Sequence, residues 1–385
     1  MKDKIKLGLL RWWMLIRLTR LSFVIYLAVA VLLFVSPLYL YFLTRRELNL
    51  FELQNRIFLR TYFHILSAIF GCVIGAVTVS RFGFGKKGEL LRLVPEKKTA
   101  SFITVSLCEL TKGILSFAFS YGLVQVLLVL IYHAPSNFFE YMFGGLFGES
   151  IRYLLLYFSV GVLFSVISGR VITAVLGCIT YYLGTGLVCY TVIGVYPYLP
   201  KENGGLLPLL CAPFIHNAPM FDLFFRLTGS GAIITGNNWG FGSGIDDLGV
   251  SNGCSIFGIL FTSIAFYLLG ILIFKYRRVE ELGKPYCFPF VAPIITSALT
   301  VECYFMAIIA PWGGINNAVE RLSNLFGVGK LLPGTEYVTV FTVGFFVFSA
   351  LASCSIRHIF KYLKLFPTLA VATYVFQAVC FGGML

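Results

Sequence analysis

Glu302 is the one acidic residue near the middle of a long apolar stretch of this chain, residues 288–310. A charged carboxylate at the centre of a bilayer costs about 3 kcal/mol on insertion scales and more by other measures, so a chain keeps one only where something offsets the cost. Two chemistries fit the position. It is either a site that carries a proton or holds a substrate, or a structural glutamate, neutral or hydrogen-bonded to a Tyr or Thr of a neighbouring helix. His64, near the end of another apolar stretch, reads as an interfacial histidine.

Nucleotide chemistry lacks its parts. A phosphate-binding loop needs G-x-x-x-x-G-K-[ST], whose backbone amides and lysine hold the phosphates. The nearest approach is Gly327-Val-Gly-Lys330, where Leu331 stands in place of the hydroxyl residue and Asn324 in place of the first glycine. H-E-x-x-H and G-x-S-x-G are absent, and the four histidines, His64, His133, His216 and His358, show no ligand spacing. No catalytic residue, metal site or resident cofactor is assigned, and the chain reads as a non-enzyme.

The elements that position Glu302 follow from hydropathy. A bilayer core of about 30 Å needs roughly 20 helical residues at 1.5 Å each. Residues 21–43 supply an uncharged run of that length, and eight further candidates follow at 61–80, 113–132, 153–169, 171–195, 254–274, 288–310, 337–356 and 365–385. Continuous apolar runs exclude the alternating pattern of a barrel, because lipid leaves only helices and closed barrels able to satisfy their peptide groups. The expected fold is all-α: a polytopic helical membrane bundle of about nine transmembrane helices, one transmembrane domain over 21–385. Hydrophobic residues make up 58% and charged residues 12% of the chain, which leaves no soluble domain to present a nucleic-acid groove despite a net charge of +13.

Charge sets the sides. With a cytoplasmic N-terminus, 21 of the 30 Lys and Arg residues fall on the inner segments, as the positive-inside rule requires. Residues 1–20 form an N-terminal interfacial helix, with Lys2, Lys6, Arg17 and Arg20 on one face toward anionic membrane lipids and Leu9, Trp13 and Ile16 on the other. The first apolar run is too long for a signal-peptide core and stays as an anchor. Most of the ten cysteines lie inside apolar spans as small hydrophobes, and only Cys211 and Cys254 are placed to meet an oxidising exterior. The ninth span leaves the C-terminus outside, or the sequence incomplete.

Two connections carry further pattern. The inner loop 81–112 is the most basic, and within it residues 88–95 suit a short helix stopped at Pro95, after which Thr99 caps the next helix. A short charged helix on the inner face has the shape of a docking element. The long outer connection 196–253 contains a proline-broken apolar segment, 206–215, suited to a re-entrant or interfacial course, and then a glycine-rich stretch including 236–244.

The segment Lys275-Tyr-Arg-Arg-Val-Glu-Glu-Leu-Gly-Lys-Pro-Tyr-Cys-Phe-Pro289 resembles the R-x-[ST]-E-x-A-G-x-x-x-x-F element of bacterial type-2 ABC transporter permeases. Arg92-Leu-Val-Pro-Glu-Lys-Lys98 is similar to that family's S-L-P-x-[KT]-R element between spans two and three. Val279 and Leu282 stand where the family has a small hydroxyl residue and an alanine, and Val94 where it has leucine. The resemblance implies the membrane subunit of an ABC exporter in the bacterial cell membrane. It would pair with a second permease subunit, as a homo- or heterodimer, and with two ATPase subunits that carry ATP and Mg. It further implies that Glu89, Arg92, Pro95, Glu96, Lys97 and Lys98 couple to the ATPase, and that Arg278, Glu280 and Gly283 pack against that coupling region. The family exports peptides, lipids, polysaccharides or drugs, and the sequence does not choose among them. An ion-coupled secondary transporter using Glu302 is the rival reading, and an integral-membrane enzyme or assembly factor a third.

The assigned sides have a direct test. Single cysteines at Ser243 and Lys87, in a background without native cysteines, should differ toward an impermeant thiol reagent: Ser243→Cys reacts in intact cells and Lys87→Cys only after lysis. Reaction at position 87 from outside would overturn the coupling-loop assignment.

Overall fold

The structure is a computed structural model and describes residues 23–33, 53–83, 98–132, 147–168, 171–195, 252–277, 286, 288–309, 335–353 and 359–381. These residues are helical almost throughout, as expected of an all-α chain. The helices are α1 (Phe23–Leu33), α2 (Leu53–Gly83), α3 (Lys98–Tyr132), α4 (Phe147–Ile167), α5 (Val171–Val195), α6 (Asn252–Tyr276), α7 (Val291–Ile309), α8 (Thr335–Ser353), α9 (Ile359–Tyr362) and α10 (Leu365–Phe381). The interfacial helix expected over 1–20 and the expected re-entrant segment 206–215 lie outside the described residues.

Among the described residues, three helical stretches are long and apolar enough to cross a membrane: Thr99–Val124, Phe147–Ile167 and Ile259–Tyr276. This composition points to membrane association. The other six expected spans carry apolar helical stretches of 10–17 residues among the described residues.

Several hydroxyl side chains within these helices are satisfied locally. Ser67 donates to the Phe63 carbonyl, Thr78 to Ile74, Ser120 to Ser116, Ser263 to Ile259, Thr300 to Thr296 and Ser353 to Ser349. Each bond reaches back one turn, so a hydroxyl enters an apolar span without needing water. Pro293 sits in the first turn of α7, where its missing N–H costs nothing.

The chain packs as two compact units, Met1–Val175 with Ile259–Gly283, and Leu176–Gly258 with Lys284–Leu385. In the first unit α4 is the centre. Its sequence is apolar all round, which is the signature of a helix with neighbours on every side. The approach of α2 is the closest. A Cβ placed on Gly71 would lie 2.5 Å from the Leu154 carbonyl oxygen and one on Gly161 2.6 Å from the Cys72 carbonyl oxygen, while one on Gly75 would strike the Phe158 carbonyl. Gly71-x-x-x-Gly75 is thus a small-residue contact that lets two backbones meet, with Ser165 Oγ bridging to the Gly75 carbonyl at 3.3 Å.

Contacts fix the helix directions in this unit. Residue numbers rise together where α2 meets α4, from Gly71 against Leu154 to Gly75 against Val162. They also rise together where α4 meets α6, from Phe158 beside Tyr267 to Val166 bonded by Arg277. They run oppositely between α2 and α3, where Phe63 meets Tyr121 and Ile74 meets Gly113, and between α3 and α6, where Phe102 stacks on Phe274 and Ser106 bonds Tyr267. So α2, α4 and α6 are parallel and α3 opposes them. Within the second unit, Tyr304 packs edge-on against Phe341, whereas Ala292 and Ile295 share a buried cluster with Ala352, so α7 and α8 are antiparallel.

Gly161→Leu should destabilise the purified protein by about 1–3 kcal/mol or more, because overpacking at a backbone contact cannot be relieved by rotating a side chain. Gly122→Leu is the comparison, since a Cβ at Gly122 meets nothing within 4 Å. Thermal unfolding in detergent measures both, and equal midpoints would contradict the proposed crossing.

Candidate functional site

Three groups of polar residues occupy positions that an apolar helix would fill with leucine. The first lies at the end of the first unit where α3 begins and α6 finishes. Phe102 and Phe274 stack there with ring centroids 4.2 Å apart, and Ser106 shares a hydrogen bond with the Tyr267 hydroxyl one turn along. Beside them, Arg277 is 7% exposed and donates through Nη1 to the Val166 carbonyl at 2.8 Å and the Ser165 carbonyl at 3.3 Å. The last carbonyls of α4 have no partner within their own helix, so a guanidinium there supplies both hydrogen bonds and charge of the sign the dipole favours. One turn further along α3, Glu109 and Lys112 form a buried pair at 3.1 Å.

The second group is at the opposite end of the same unit. His64 is 4% exposed, its Nε2 lies 3.2 Å from Glu149 Oε2, and its ring packs on Tyr153 at 4.5 Å between centroids. To the sequence expectation of an interfacial histidine the structure adds that the side chain is buried between α2 and α4. Hydropathy cannot reveal this, because the partner acid stands 85 positions away at the start of another span. Glu149 also occupies the first turn of α4, where negative charge is favoured.

The third group belongs to the second unit. Glu302 is 5% exposed, its Oε2 is buried, and that oxygen accepts no hydrogen bond from the described residues. A Cβ on Gly184 would lie 2.7 Å from Glu302 Oε1, so the carboxyl rests against bare backbone of α5. The structural expectation is a glutamate either neutral or hydrogen-bonded to a Tyr or Thr of a neighbouring helix; among the described residues no such hydroxyl serves Oε2.

Of the residues that the resemblance singles out, Lys98 opens α3, while Glu89, Arg92, Pro95, Glu96, Lys97, Arg278, Glu280 and Gly283 lie outside the described residues. What the structure does place is their flanks: α3 leaves the first segment and α6 enters the second, and the two meet at Phe102 and Phe274. Arg277, adjoining Arg278, is a residue that sequence reasoning did not single out. Among the described residues no three His, Cys, Asp or Glu side chains group as metal ligands. No protein-family model, curated protein or solved structure matches this chain.

Arg277→Met keeps most of the apolar stem and removes the donors to α4. It should cost about 1–3 kcal/mol, the penalty of leaving buried carbonyls unsatisfied, with Arg277→Lys intermediate. Denaturation of the purified variants reads the order wild type, Lys, Met. A methionine variant as stable as wild type would mean that other donors serve these carbonyls.

Proposed function

We propose that this chain is the membrane-spanning permease subunit of a bacterial ABC exporter, moving substrate outward when separate ATPase subunits bind and hydrolyse ATP. The observation that carries the reading is the meeting of α3 and α6 at Phe102 and Phe274. Two segments resemble elements of one permease family, 92–98 and 275–289, and they are far apart in sequence. Their flanking helices come together at one end of one packed unit, where a docking ATPase could act on both.

The alternating directions of α2, α3, α4 and α6 support a chain that crosses the membrane at every helix. Parallel α2, α4 and α6 with opposed α3 are what successive crossings produce. In this reading the Phe102–Phe274 end is cytoplasmic, in the bacterial cell membrane, with the N-terminus on the same side. A second permease subunit completes the pathway, and ATP with Mg is held by the ATPase subunits. Arg277 gives force arriving on the 275–289 segment a route into α4, since its hydrogen bonds join the end of one helix to the end of another.

An ion-coupled secondary transporter is the second reading, favoured by one observation, the buried Glu302 oxygen that no described residue serves. Substrate efflux from vesicles containing the ATPase subunit separates the two. In the permease reading, efflux requires ATP and survives Glu302→Gln. Efflux driven by a proton gradient without ATP, and lost in that variant, would sink it.

Association tests the docking end. Charge reversal at Lys97 and Lys98 should reduce the ATPase subunit that co-purifies by about tenfold, whereas reversal at Arg45 and Arg46 leaves it near the wild-type level, because only charges on the docking side steer and hold the partner. Equal loss in both would mean general misfolding.

A further inference from the structure

The carboxyl group of Glu302 stands where helix packing calls for an apolar side chain. Ile295, Leu299 and Glu302 follow one another at i, i+4 and i+7 along α7 and are all buried, so they share one face. The first two belong to a cluster that takes in Leu176, with Leu183 packed against it, from α5. At the third position α5 presents Gly184, and the carboxyl occupies the volume in which any other residue would place its Cβ. The glycine makes a notch fitted to this acid. With Oε1 held in the notch, Oε2 is sealed from solvent and accepts no hydrogen bond from the described residues. The other buried acid of a helix interior among the described residues, Glu109, has its cation supplied by Lys112 one turn away. At Glu302 the described residues supply none.

We propose that Glu302 and the notch at Gly184 form a binding site for the ammonium group of an amphiphilic amine. This rests on reading the chain as a transporter and names the chemistry of what it carries, whichever energy source drives it. A buried carboxylate is stabilised by a partner that brings both positive charge and an N–H donor. A divalent metal ion needs about six oxygen ligands, and among the described residues no third His, Cys, Asp or Glu gathers with this one. An ammonium needs only the single carboxylate, and the hydrocarbon attached to it suits the apolar cluster of Ile295, Leu299 and Leu183 that precedes the acid and its glycine along α7 and α5. Glu302 is the twelfth residue of α7, about 17 Å along the helix at 1.5 Å per residue. The site therefore lies at a depth that a carried amine reaches, whereas the amine of phosphatidylethanolamine is tethered near the headgroup layer.

The test uses the full chain in phosphatidylcholine vesicles and the apolar reagent dicyclohexylcarbodiimide, which adds to carboxyl groups within membranes. The Glu302 peptide should carry the adduct by mass spectrometry, and the corresponding peptide of Glu302→Gln should not. N,N-dimethyldodecylamine, whose protonated form keeps one N–H, should slow labelling by about tenfold, equivalent to about 1.4 kcal/mol of binding at the concentration used. Dodecanol, equally apolar and uncharged, should leave the rate unchanged, and Gly184→Ala should abolish the protection by displacing the carboxyl. Adding phosphatidylethanolamine without the amine separates the sources: slowed labelling keeps the ammonium chemistry and makes lipid its source, whereas an unchanged rate leaves a carried amine. Absence of labelling at Glu302, or protection by dodecanol equal to that by the amine, would overturn the proposal. Neither result bears on whether an ATPase associates, so this inference and the permease reading fail separately.

Discussion

The contact between the backbones of α2 and α4 is the constraint on which the rest of the first unit depends. In lipid there is no hydrophobic drive to bring two helices together, so association rests on close packing and on the polar contacts that packing permits. Gly71, Gly75 and Gly161 remove the side chains that would hold the axes apart, and the carbonyls of Leu154, Phe158 and Cys72 come within reach of the opposing backbone. Ser165 then finds the Gly75 carbonyl, and His64 finds Glu149 at the far end of the same pair. With α2 and α4 fixed, their remaining faces become surfaces for others. Phe117 and Tyr121 of α3 pack against Phe147 at the head of α4, and Gly270 of α6 settles beside Val162 and Leu163.

Much of the architecture was legible in the sequence, because a lipid-spanning helix is written as a continuous apolar run. Each of the expected spans overlaps an apolar helical stretch, and the helix that runs on into the third span begins at Lys98, one residue before the Thr99 that the sequence offers as its cap. Partners are another matter. Hydropathy treats every apolar run alike and says nothing of which faces meet. The spacing of Gly71 and Gly75 is a packing signal present in the sequence, but its counterpart Gly161 has no second glycine four positions away to mark it. The burial of His64 was hidden for the same reason. Glu302 could be found, because an acid inside an apolar run is conspicuous by its cost, yet its neighbour Gly184 is one glycine among 38. Arg277 reads in the sequence as one more basic residue, and only its bond to the end of α4 sets it apart.

Among the described residues, the two acids buried inside helices show two ways an apolar helix tolerates a carboxyl group. Glu109 and Lys112 are i and i+3 on one helix, so their pairing is a local matter that needs no particular tertiary arrangement. Such a pair is balanced, and its contribution to stability is small beside the desolvation it offsets. Glu302 depends on tertiary structure for its surroundings. It has a glycine cut to its shape and an oxygen that the described residues leave without a donor. The first arrangement closes the chemistry of the acid within the chain, and the second leaves it open to what the chain meets.

The Arg277 bridge also has a bearing on the order in which the protein is built. Its bonds to Val166 and Ser165 close over 111 and 112 positions of sequence, with the whole of α5 and the long connection before α6 lying between. During synthesis α4 therefore forms with its final carbonyls unanswered, and the donor that satisfies them leaves the ribosome only after some hundred further residues, several seconds at about 5–20 residues per second. Until then the end of α4 must borrow water or lipid headgroups. The first unit is thus completed late, by a helix the chain returns after an excursion, and any ribosome stall or premature stop between α5 and α6 leaves a half-finished bundle with an exposed polar terminus for quality-control proteases to find.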